Sequence, residues 1–209
     1  MVVTTATKKL LKLKKRIRAV CGGTSASKTV SILMILIDYA QSHKNEMISV
    51  VSETMPHIKR GAERDFKNIM LDHGYWTDNN WNATDHIYTF ETGSRIEFFS
   101  ADSPDKLRGP RRDVLFINEA NNIPYDAFTQ LEVRTKKLIW LDWNPTNAFW
   151  FYTELREQRA DLDFITLTYK DNEALDPQII EAIESRKGNK NWWRVYGLGL
   201  LGEVECKIS

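Results

Sequence analysis

Residues 16–29 read RIRAVCGGTSASKT, a short apolar run followed by a loop of small residues and a Lys-Thr pair. The run predicts a first strand over 16–21, and the apolar periodicity after the loop predicts a helix over 28–43. A loop of small residues between a strand and a helix, closed by Lys and Thr, is the context that a phosphate-binding loop requires. The pattern therefore predicts a phosphate site at the end of the first strand.

The predicted loop supplies the groups that hold a nucleotide. Its members are Gly22, Gly23, Thr24, Ser25, Ala26, Ser27, Lys28 and Thr29. Backbone N–H groups would converge on the β-phosphate, Lys28 would reach the β- and γ-phosphates, and Thr29 would place its hydroxyl on Mg²⁺. Ser27 stands where a second Gly is usual, and we expect its Cβ to be tolerated in helical dihedrals. The alternative is a loop that merely joins a strand to a helix.

The rest of the chain alternates β-branched runs with helical stretches, which predicts a mostly parallel central sheet flanked by helices. Further strands are predicted over 47–52, 114–117, 138–141 and 164–167, helices over 56–72, 149–159 and 177–186, and an inserted antiparallel hairpin over 87–90 and 95–99. The aromatic and Gly-rich residues from Asn191 onward are interpreted as a domain end or linker.

A polar pair, Asn118 and Glu119, follows the continuous apolar strand at 114–117. Ligands of open α/β sheets bind at the carboxyl ends of strands, so Glu119 is placed to polarise an attacking water. Asn118 occupies the position where an Asp normally holds the Mg²⁺ shell, and we expect it to contact the metal through water. Asp113 lies at the other end of the strand. The alternative for Glu119 is a cap on the following helix.

Composition and charge narrow the class of protein. The 209 residues are 42% hydrophobic and 27% charged, which suits one ordinary domain or two small ones. The net charge of +1 is segregated, because residues 1–37 hold eight basic and no acidic side chains while the remainder carries a net −7. We interpret residues 1–15 as a basic arm that contacts DNA phosphates or anionic lipid, or that is merely solvated. The small total net charge gives no support for a strongly basic DNA-binding protein.

Other features exclude whole classes. Cys21 and Cys206 cannot form a disulfide framework, and no Cys/His cluster has zinc spacing, which predicts a reducing, intracellular setting. The longest apolar run, 32–37, is far below the roughly 20 residues that a membrane span needs. The basic residues over 8–18 interrupt any signal-peptide core. The histidines at 43, 57, 73 and 86 show no metal spacing, and no chemistry is assigned to them.

The tryptophans divide into two groups. Trp140, Trp143 and Trp150 surround the fourth predicted parallel strand and are expected in the core. Trp76 and Trp81 lie in a polar stretch, and we interpret them as a surface contact for DNA or another subunit.

Three stretches together resemble the ATPase domain of a tailed-phage large terminase, the DNA-packaging motor. They are GGTSASKT at 22–29, LRGPRRDVLFINEANNIP at 107–124 and IWLDWNPTNAFWFY at 139–152, and the resemblance covers about residues 16–202. It implies a RecA-like P-loop NTPase fold of the ASCE type, with ATP and Mg²⁺ as cofactors. The implied function is ATP hydrolysis that powers translocation of viral double-stranded DNA into a procapsid.

The resemblance also implies catalytic roles. Lys28 and Thr29 match the phosphate and Mg²⁺ ligands, and Glu119 matches the catalytic carboxylate. Arg108 matches an arginine finger that reaches the nucleotide of a neighbouring subunit, with Arg111 and Arg112 as rivals.

Two further roles follow from the resemblance. Asn144, Pro145 and Thr146 match the motif that couples γ-phosphate sensing to DNA gripping. From the residues themselves, the Asn144 side chain can bridge water or phosphate to Glu119, and a plain turn is the alternative. Arg16 or Arg18 would line the adenine pocket.

The resemblance implies a domain plan and partners. Residues 1–202 would form the ATPase domain, residues 203–209 would begin a linker, and the nuclease domain would be absent, so ATP would be hydrolysed without DNA cleavage. The implied partners are double-stranded DNA, the portal protein, the small terminase subunit and further copies in a ring, without a membrane. The location would be the host cytoplasm, transiently on the procapsid. The alternatives are a helicase or recombination ATPase, or a nucleotide- or DNA-binding module with little turnover.

Overall fold

The computed structural model describes residues 3–202 and contains one eight-stranded sheet. The strands are β1 Ile17–Gly22, β2 Met47–Ser52, β3 Trp81–Asn82, β4 Ile87–Thr89, β5 Arg95–Ser100, β6 Arg112–Ile117, β7 Thr135–Trp143 and β8 Leu162–Leu167. The α-helices are α1 Thr5–Leu11, α2 Lys28–Ser42, α3 Met55–Arg60, α4 Ala62–Asp72, α5 Pro104–Leu107, α6 Tyr125–Glu132, α7 Pro177–Glu184 and α8 Lys190–Trp192.

The strand order is β3-β4-β5-β2-β6-β7-β1-β8. The six neighbouring strands β5, β2, β6, β7, β1 and β8 run parallel to one another. Strand β4 pairs antiparallel with β5 on one side and with β3 on the other. The predicted α/β fold and the β4–β5 hairpin are confirmed. Within the sheet, β5 pairs with β2 and so joins the hairpin to the parallel strands. The short strand β3 was not predicted.

Helices cover both faces of the sheet, and the sequence of β6 shows how one strand contributes to both cores. Val114 and Phe116 enter the core cluster that contains α2 and α4 side chains, whereas Leu115 and Ile117 enter the cluster that contains α6 side chains. Alternate residues of a strand point to opposite faces, so a continuous apolar run fills two cores. Each fully buried side chain of this kind contributes roughly 1.5–3 kcal/mol.

Two predicted helices differ from those observed. The helix predicted over 56–72 is divided into α3 and α4 at Gly61, whose φ and ψ of −109° and −104° leave the helical region. The helix predicted over 149–159 is reduced to a short segment with a π-helical turn at Phe151–Leu155. The prediction missed both changes because the apolar periodicity continues across them.

The predicted basic arm is a packed helix. Thr4 caps α1, and Ala6 and Leu10 are fully buried in the same core cluster as α2. Lys9 Nζ donates to Asp171 Oδ1 at 2.6 Å. This segment is therefore not a solvated tail. The predicted linker at 203–209, with Cys206, lies outside the described residues.

The tryptophans of both predicted groups pack against the hydrophobic core. Trp140, Trp143 and Trp150 are buried, as predicted. Trp76 and Trp81 are half-buried against the core, with Trp76 edge-on to Phe66 at 6.4 Å. Each ring packs on the core along one side, and Trp81 lies in the unpredicted strand β3. Their use as a contact for DNA or another subunit stays a prediction.

Among residues 3–202, no helix has both the length and the apolar character that crossing a bilayer requires.

Candidate active site

The polar residues converge at the carboxyl edge of the parallel sheet. Strands β6, β7 and β1 are neighbours and end at Ile117, Trp143 and Gly22, so the residues that follow them meet. A cavity of about 410 Å³ opens beside this edge. Its wall includes Thr29, Thr54, His57, Arg60, Asn118 and Glu119.

The loop after β1 makes a 3₁₀ turn over Thr24–Ala26 and then enters α2 through Ser27. Ser27 has φ and ψ of 57° and 24°, the left-handed conformation. Ser27 therefore lacks the right-handed helical dihedrals in which its Cβ would be tolerated. The backbone is left-handed at this one residue between the 3₁₀ turn and α2. A left-handed conformation favours Gly, the residue that is usual at this position.

Two side chains at the start of α2 join the loop to the end of β7. Lys28 Nζ donates to Asn144 Oδ1 at 2.7 Å, and Thr29 Oγ1 donates to Asp142 Oδ2 at 2.6 Å. Lys28 is nearly buried. The direct partner of Asn144 is thus the lysine of the loop.

Asp142 is a member of this site that the sequence analysis missed. Its side chain is fully buried, and burial raises the pKa of its carboxyl, opposed by the nearby Lys28 charge and by the Thr29 hydrogen bond. The Glu119 backbone N–H donates to Asp142 Oδ1 at 2.7 Å. A lone acid inside an apolar strand was the available signal, because buried carboxylates are rare without a specific partner.

Asn118 is nearly buried between β2 and β7. Its Oδ1 accepts from Ser52 Oγ at 3.1 Å, and its Nδ2 donates to Asp142 Oδ1 at 3.1 Å and to Thr29 Oγ1 at 3.3 Å. Asn118 therefore holds the acid and the hydroxyl in one network.

Glu119 has a left-handed backbone, with φ of 54°, at the turn after β6. Its carboxylate contacts His57 Nε2 and lies 3.4 Å from Asn122 Nδ2. The carboxylate makes no capping bond to the short helical turn that follows, so the capping alternative does not describe it. His57, to which no chemistry was assigned, reaches Glu119 from α3, and only the packing of α3 against β2 and β5 reveals it.

The three candidate finger arginines differ in exposure. Arg108 and Arg111 are exposed in the crossover between β5 and β6. Arg112 is 2% exposed; its Nε donates to Ser49 Oγ at 2.9 Å, and its Nη1 donates to the Leu131 carbonyl at 3.1 Å. Burial lowers the pKa of its guanidinium. Arg112 is therefore wrong as a rival finger, because its charge is enclosed in its own subunit.

Arg16 and Arg18 lie near the amino end of β1, whereas the loop follows the carboxyl end. Arg16 donates to the Thr135 carbonyl at 2.8 Å, and Arg18 stacks over Trp140 at 5.2 Å. The remaining strand separates Arg18 from the loop by roughly 13 Å at 3.3 Å per residue. Their role at an adenine pocket stays a prediction.

The C-terminal described segment, interpreted as a linker, packs on the loop. A Cβ on Gly23 would lie 2.6 Å from the Tyr196 carbonyl oxygen, so the two backbones touch. Gly202 N–H donates to the Pro145 carbonyl at 3.0 Å. This segment therefore contacts both the loop and the Asn144–Thr146 turn.

Comparison with a family model gives a match over residues 14–200 to the phage terminase large subunit. No curated protein matches the chain.

Solved structures agree with the fold. The large terminase of a thermophilic bacteriophage, in complex with ADP, superposes with a TM-score of 0.78 at 21% identity, covering 94% of this chain and 53% of that one. The ATPase domain of the Thermus phage P74-26 large terminase has a TM-score of 0.64 at 15% identity, covering 92% and 91%. The bacteriophage HK97 large terminase has a TM-score of 0.66 at 10% identity, covering 93% and 50%. The chain spans about half the length of the ADP-bound terminase and of the HK97 protein, and the likeness establishes the RecA-like fold.

Proposed function

This chain belongs to the phage terminase large subunit family, and on that premise we propose that it hydrolyses ATP to drive viral double-stranded DNA into a procapsid. The observation that supports this function best is the pair of bonds from Lys28 to Asn144 and from Thr29 to Asp142. They join a strand–loop–helix phosphate motif to the ends of the neighbouring strands, with Glu119 beside them.

The nucleotide would lie at the start of α2. N–H groups of loop 22–29 and the positive end of the α2 dipole would hold the phosphates, and Lys28 would contact the β- and γ-phosphates. The Thr29 hydroxyl and the nearby Asp142 carboxylate are the hard oxygen groups that Mg²⁺ prefers, with Asn118 beside them. When bound, Mg²⁺ neutralises phosphate charge that develops during transfer.

Glu119 is the proposed group that activates water. Its carboxylate lies in the wall of the cavity that Thr29 also lines. It accepts a proton from the water that attacks the γ-phosphate. His57 and Asn122 contact its carboxylate and would orient it.

Arg108 is the proposed arginine finger, acting on the nucleotide of an adjacent copy in a ring. Its exposed side chain, at the C-cap of α5, suits contact with another subunit. Arg111 is exposed in the same crossover and is the remaining alternative. A finger of this kind contributes a factor of about 10³–10⁵ in rate.

Coupling to DNA would start at Asn144. Loss of the γ-phosphate changes what Lys28 contacts, and Lys28 is bonded to Asn144. A movement of Asn144 then shifts Pro145, and the hydrogen bond from the Gly202 N–H to the Pro145 carbonyl couples that shift to Gly202. Thr146 completes this coupling turn. The proposed partners are double-stranded DNA, the portal protein and the small terminase subunit, in the host cytoplasm.

Phosphate release with and without DNA tests the function. We expect Lys28→Ala and Glu119→Gln each to lower turnover by about 100-fold or more, as loss of a phosphate ligand or general base does. Lys44→Ala and Glu157→Gln are matched controls, since both side chains are exposed and Lys44 and Glu157 lie outside the site.

Unchanged turnover in both site variants would overturn the ATPase proposal. Nucleotide binding without turnover in the wild type, even with DNA and high protein concentration, would instead favour a binding module.

A further inference from the structure

The buried acid Asp142 stands opposite Asn118 across two neighbouring strands. Ile117 of β6 pairs with Leu141 of β7 in the parallel register, so the two polar residues follow the same rung of the sheet. Their side chains are in contact, with Asn118 Nδ2 at 3.1 Å from Asp142 Oδ1. In P-loop ATPases the acid at this edge normally stands directly after the strand that corresponds to β6, at the position that Asn118 occupies here. The acid is thus present, one strand further along the sheet.

Asp142 controls how Thr29 presents its hydroxyl. A hydroxyl has one proton and two lone pairs. The proton of Thr29 points at Asp142 Oδ2 over 2.6 Å, and one lone pair faces Asn118 Nδ2 at 3.3 Å. The second lone pair is left for a cation. A hydrogen bond that orients a metal ligand in this way also raises its basicity.

The positive charge of Lys28 lies near Asp142, but the Lys28 ammonium donates its hydrogen bond to Asn144. The hydrogen-bond donors to the Asp142 carboxylate among residues 3–202 are neutral groups: the Thr29 hydroxyl, the Asn118 amide and the Glu119 backbone N–H. A fully buried carboxylate held by neutral donors is costly, and a cation nearby offsets that cost. Asn118 carries no charge, so the negative charge for a divalent cation at Thr29 comes from Asp142.

We propose that Asp142 is the acid of the Mg²⁺ site, a positioning residue that orients Thr29 and supplies the charge that Asn118 lacks. This inference rests on the proposed nucleotide site and deepens it. The acid of the Mg²⁺ site is thus assigned to β7, whereas in other P-loop ATPases it follows the strand that corresponds to β6.

The test measures binding of a fluorescent ADP analogue to the whole chain, with excess Mg²⁺ and with EDTA. We expect Mg²⁺ to tighten binding to the wild type, and the gain to fall by about 10- to 100-fold in Asp142→Asn. Binding in EDTA should change little, because the loop and Lys28 remain, and this baseline also shows that the variant is folded. Asp72→Asn is the matched control, since Asp72 is an exposed acid at the end of α4, outside the site cavity.

A charge swap makes the test specific. In the double variant Asn118→Asp/Asp142→Asn the acid returns to β6, and we expect most of the Mg²⁺ gain to return. Recovery of this kind would not follow from a purely structural role.

Three outcomes oppose the inference, and they are distinguishable. Mg²⁺ dependence in Asp142→Asn equal to that of the wild type overturns the inference and leaves the nucleotide site intact. A swap no better than Asp142→Asn alone assigns Asp142 a structural role and also overturns it. A wild type that binds no nucleotide in either condition overturns the proposed function, and the inference with it.

Discussion

Two residues of the site, Ser27 and Glu119, hold left-handed backbone conformations that side chains other than Gly rarely adopt. Each costs of order 1–2 kcal/mol, and such conformations persist only where the surrounding structure enforces them. Ser27 lies between the 3₁₀ turn and α2, and Glu119 lies between β6 and the following turn. In both places the chain turns sharply just beyond the sheet, which brings the backbone N–H of Glu119 onto Asp142.

The strain at Ser27 predicts a stabilising substitution. Ser27→Gly should raise the free energy of unfolding by about 1 kcal/mol, because Gly adopts this conformation without the Cβ clash. For a chain of this size that corresponds to roughly 2–4 °C in Tm. Thermal unfolding followed by circular dichroism measures it.

Ser27→Ala is the control for that prediction, because it keeps the Cβ and removes only the hydroxyl that lies 3.4 Å from Ser31 Oγ. Equal melting temperatures for Ser27→Gly and Ser27→Ala would contradict a strained Ser27.

At the scale of elements, the start of β6 depends on Arg112. Arg112→Ala should lower the free energy of unfolding by about 3 kcal/mol, because it removes the buried donor to Ser49 Oγ and one of the donors to the Leu131 carbonyl, and because it opens a cavity. Urea denaturation measures the loss. Arg108→Ala, on an exposed side chain, should stay within about 0.5 kcal/mol of the wild type. Losses of the same size in both variants would show that burial does not separate the two arginines.

The connection between α1 and β1 is held by β8, and this contact predicts a pH dependence. Asp163 accepts the backbone N–H groups of Lys14 at 2.8 Å and Lys15 at 2.9 Å, which lower the pKa of its carboxyl. A lowered pKa in the folded state gives stability that is complete above the unfolded pKa and is lost as the pH falls through the folded one.

Asp163→Asn should therefore be less stable than the wild type by about 0.5–1 kcal/mol at pH 7, a modest value because the group is partly exposed. The difference should shrink below about pH 4. Denaturation at a series of pH values measures it, with the exposed Asp105→Asn as control. A difference that grows on acidification would contradict the assigned direction.

At the scale of the whole molecule, the site reaches completion only between copies if Arg108 acts in trans. Subunits carrying Arg108→Ala and subunits carrying Glu119→Ala should each be inactive in the assembled oligomer. Mixed together, they should partly restore phosphate release, because some interfaces then pair an intact finger with an intact carboxylate. Mixing Arg111→Ala with Glu119→Ala tests the alternative finger. An assembled mixture with no restoration would argue against action in trans by that arginine.

The charge pattern also changes meaning at this scale. Much of the positive N-terminal excess lies on the packed helix α1 and on the connection from α1 to β1, where Lys9 and Arg16 pair with Asp171 and Glu132. Any DNA contact by this chain therefore depends on local patches and on the arrangement of copies.

The sequence by itself determined the parallel sheet, the loop over 22–29 and the polar pair after β6. These features depend on local chemistry: apolar runs form strands, small residues allow a tight loop, and a Lys-Thr pair opens a helix. It did not determine the helix break at Gly61 or the left-handed backbone conformation of Ser27, since the apolar periodicity of a sequence does not report the backbone dihedrals of a single residue.

Only the tertiary structure decided which side chains meet. Asp142 reaches Thr29 across 113 positions of sequence, and Asn144 reaches Lys28 across 116. The order β6-β7-β1 brings them together, and that order follows from the packing of helices on both faces of the sheet. The same packing buries Arg112 and places His57 against Glu119. Hydrophobic burial sets the strand order without regard to the polar residues at the strand ends, so their pairing cannot be read along the chain.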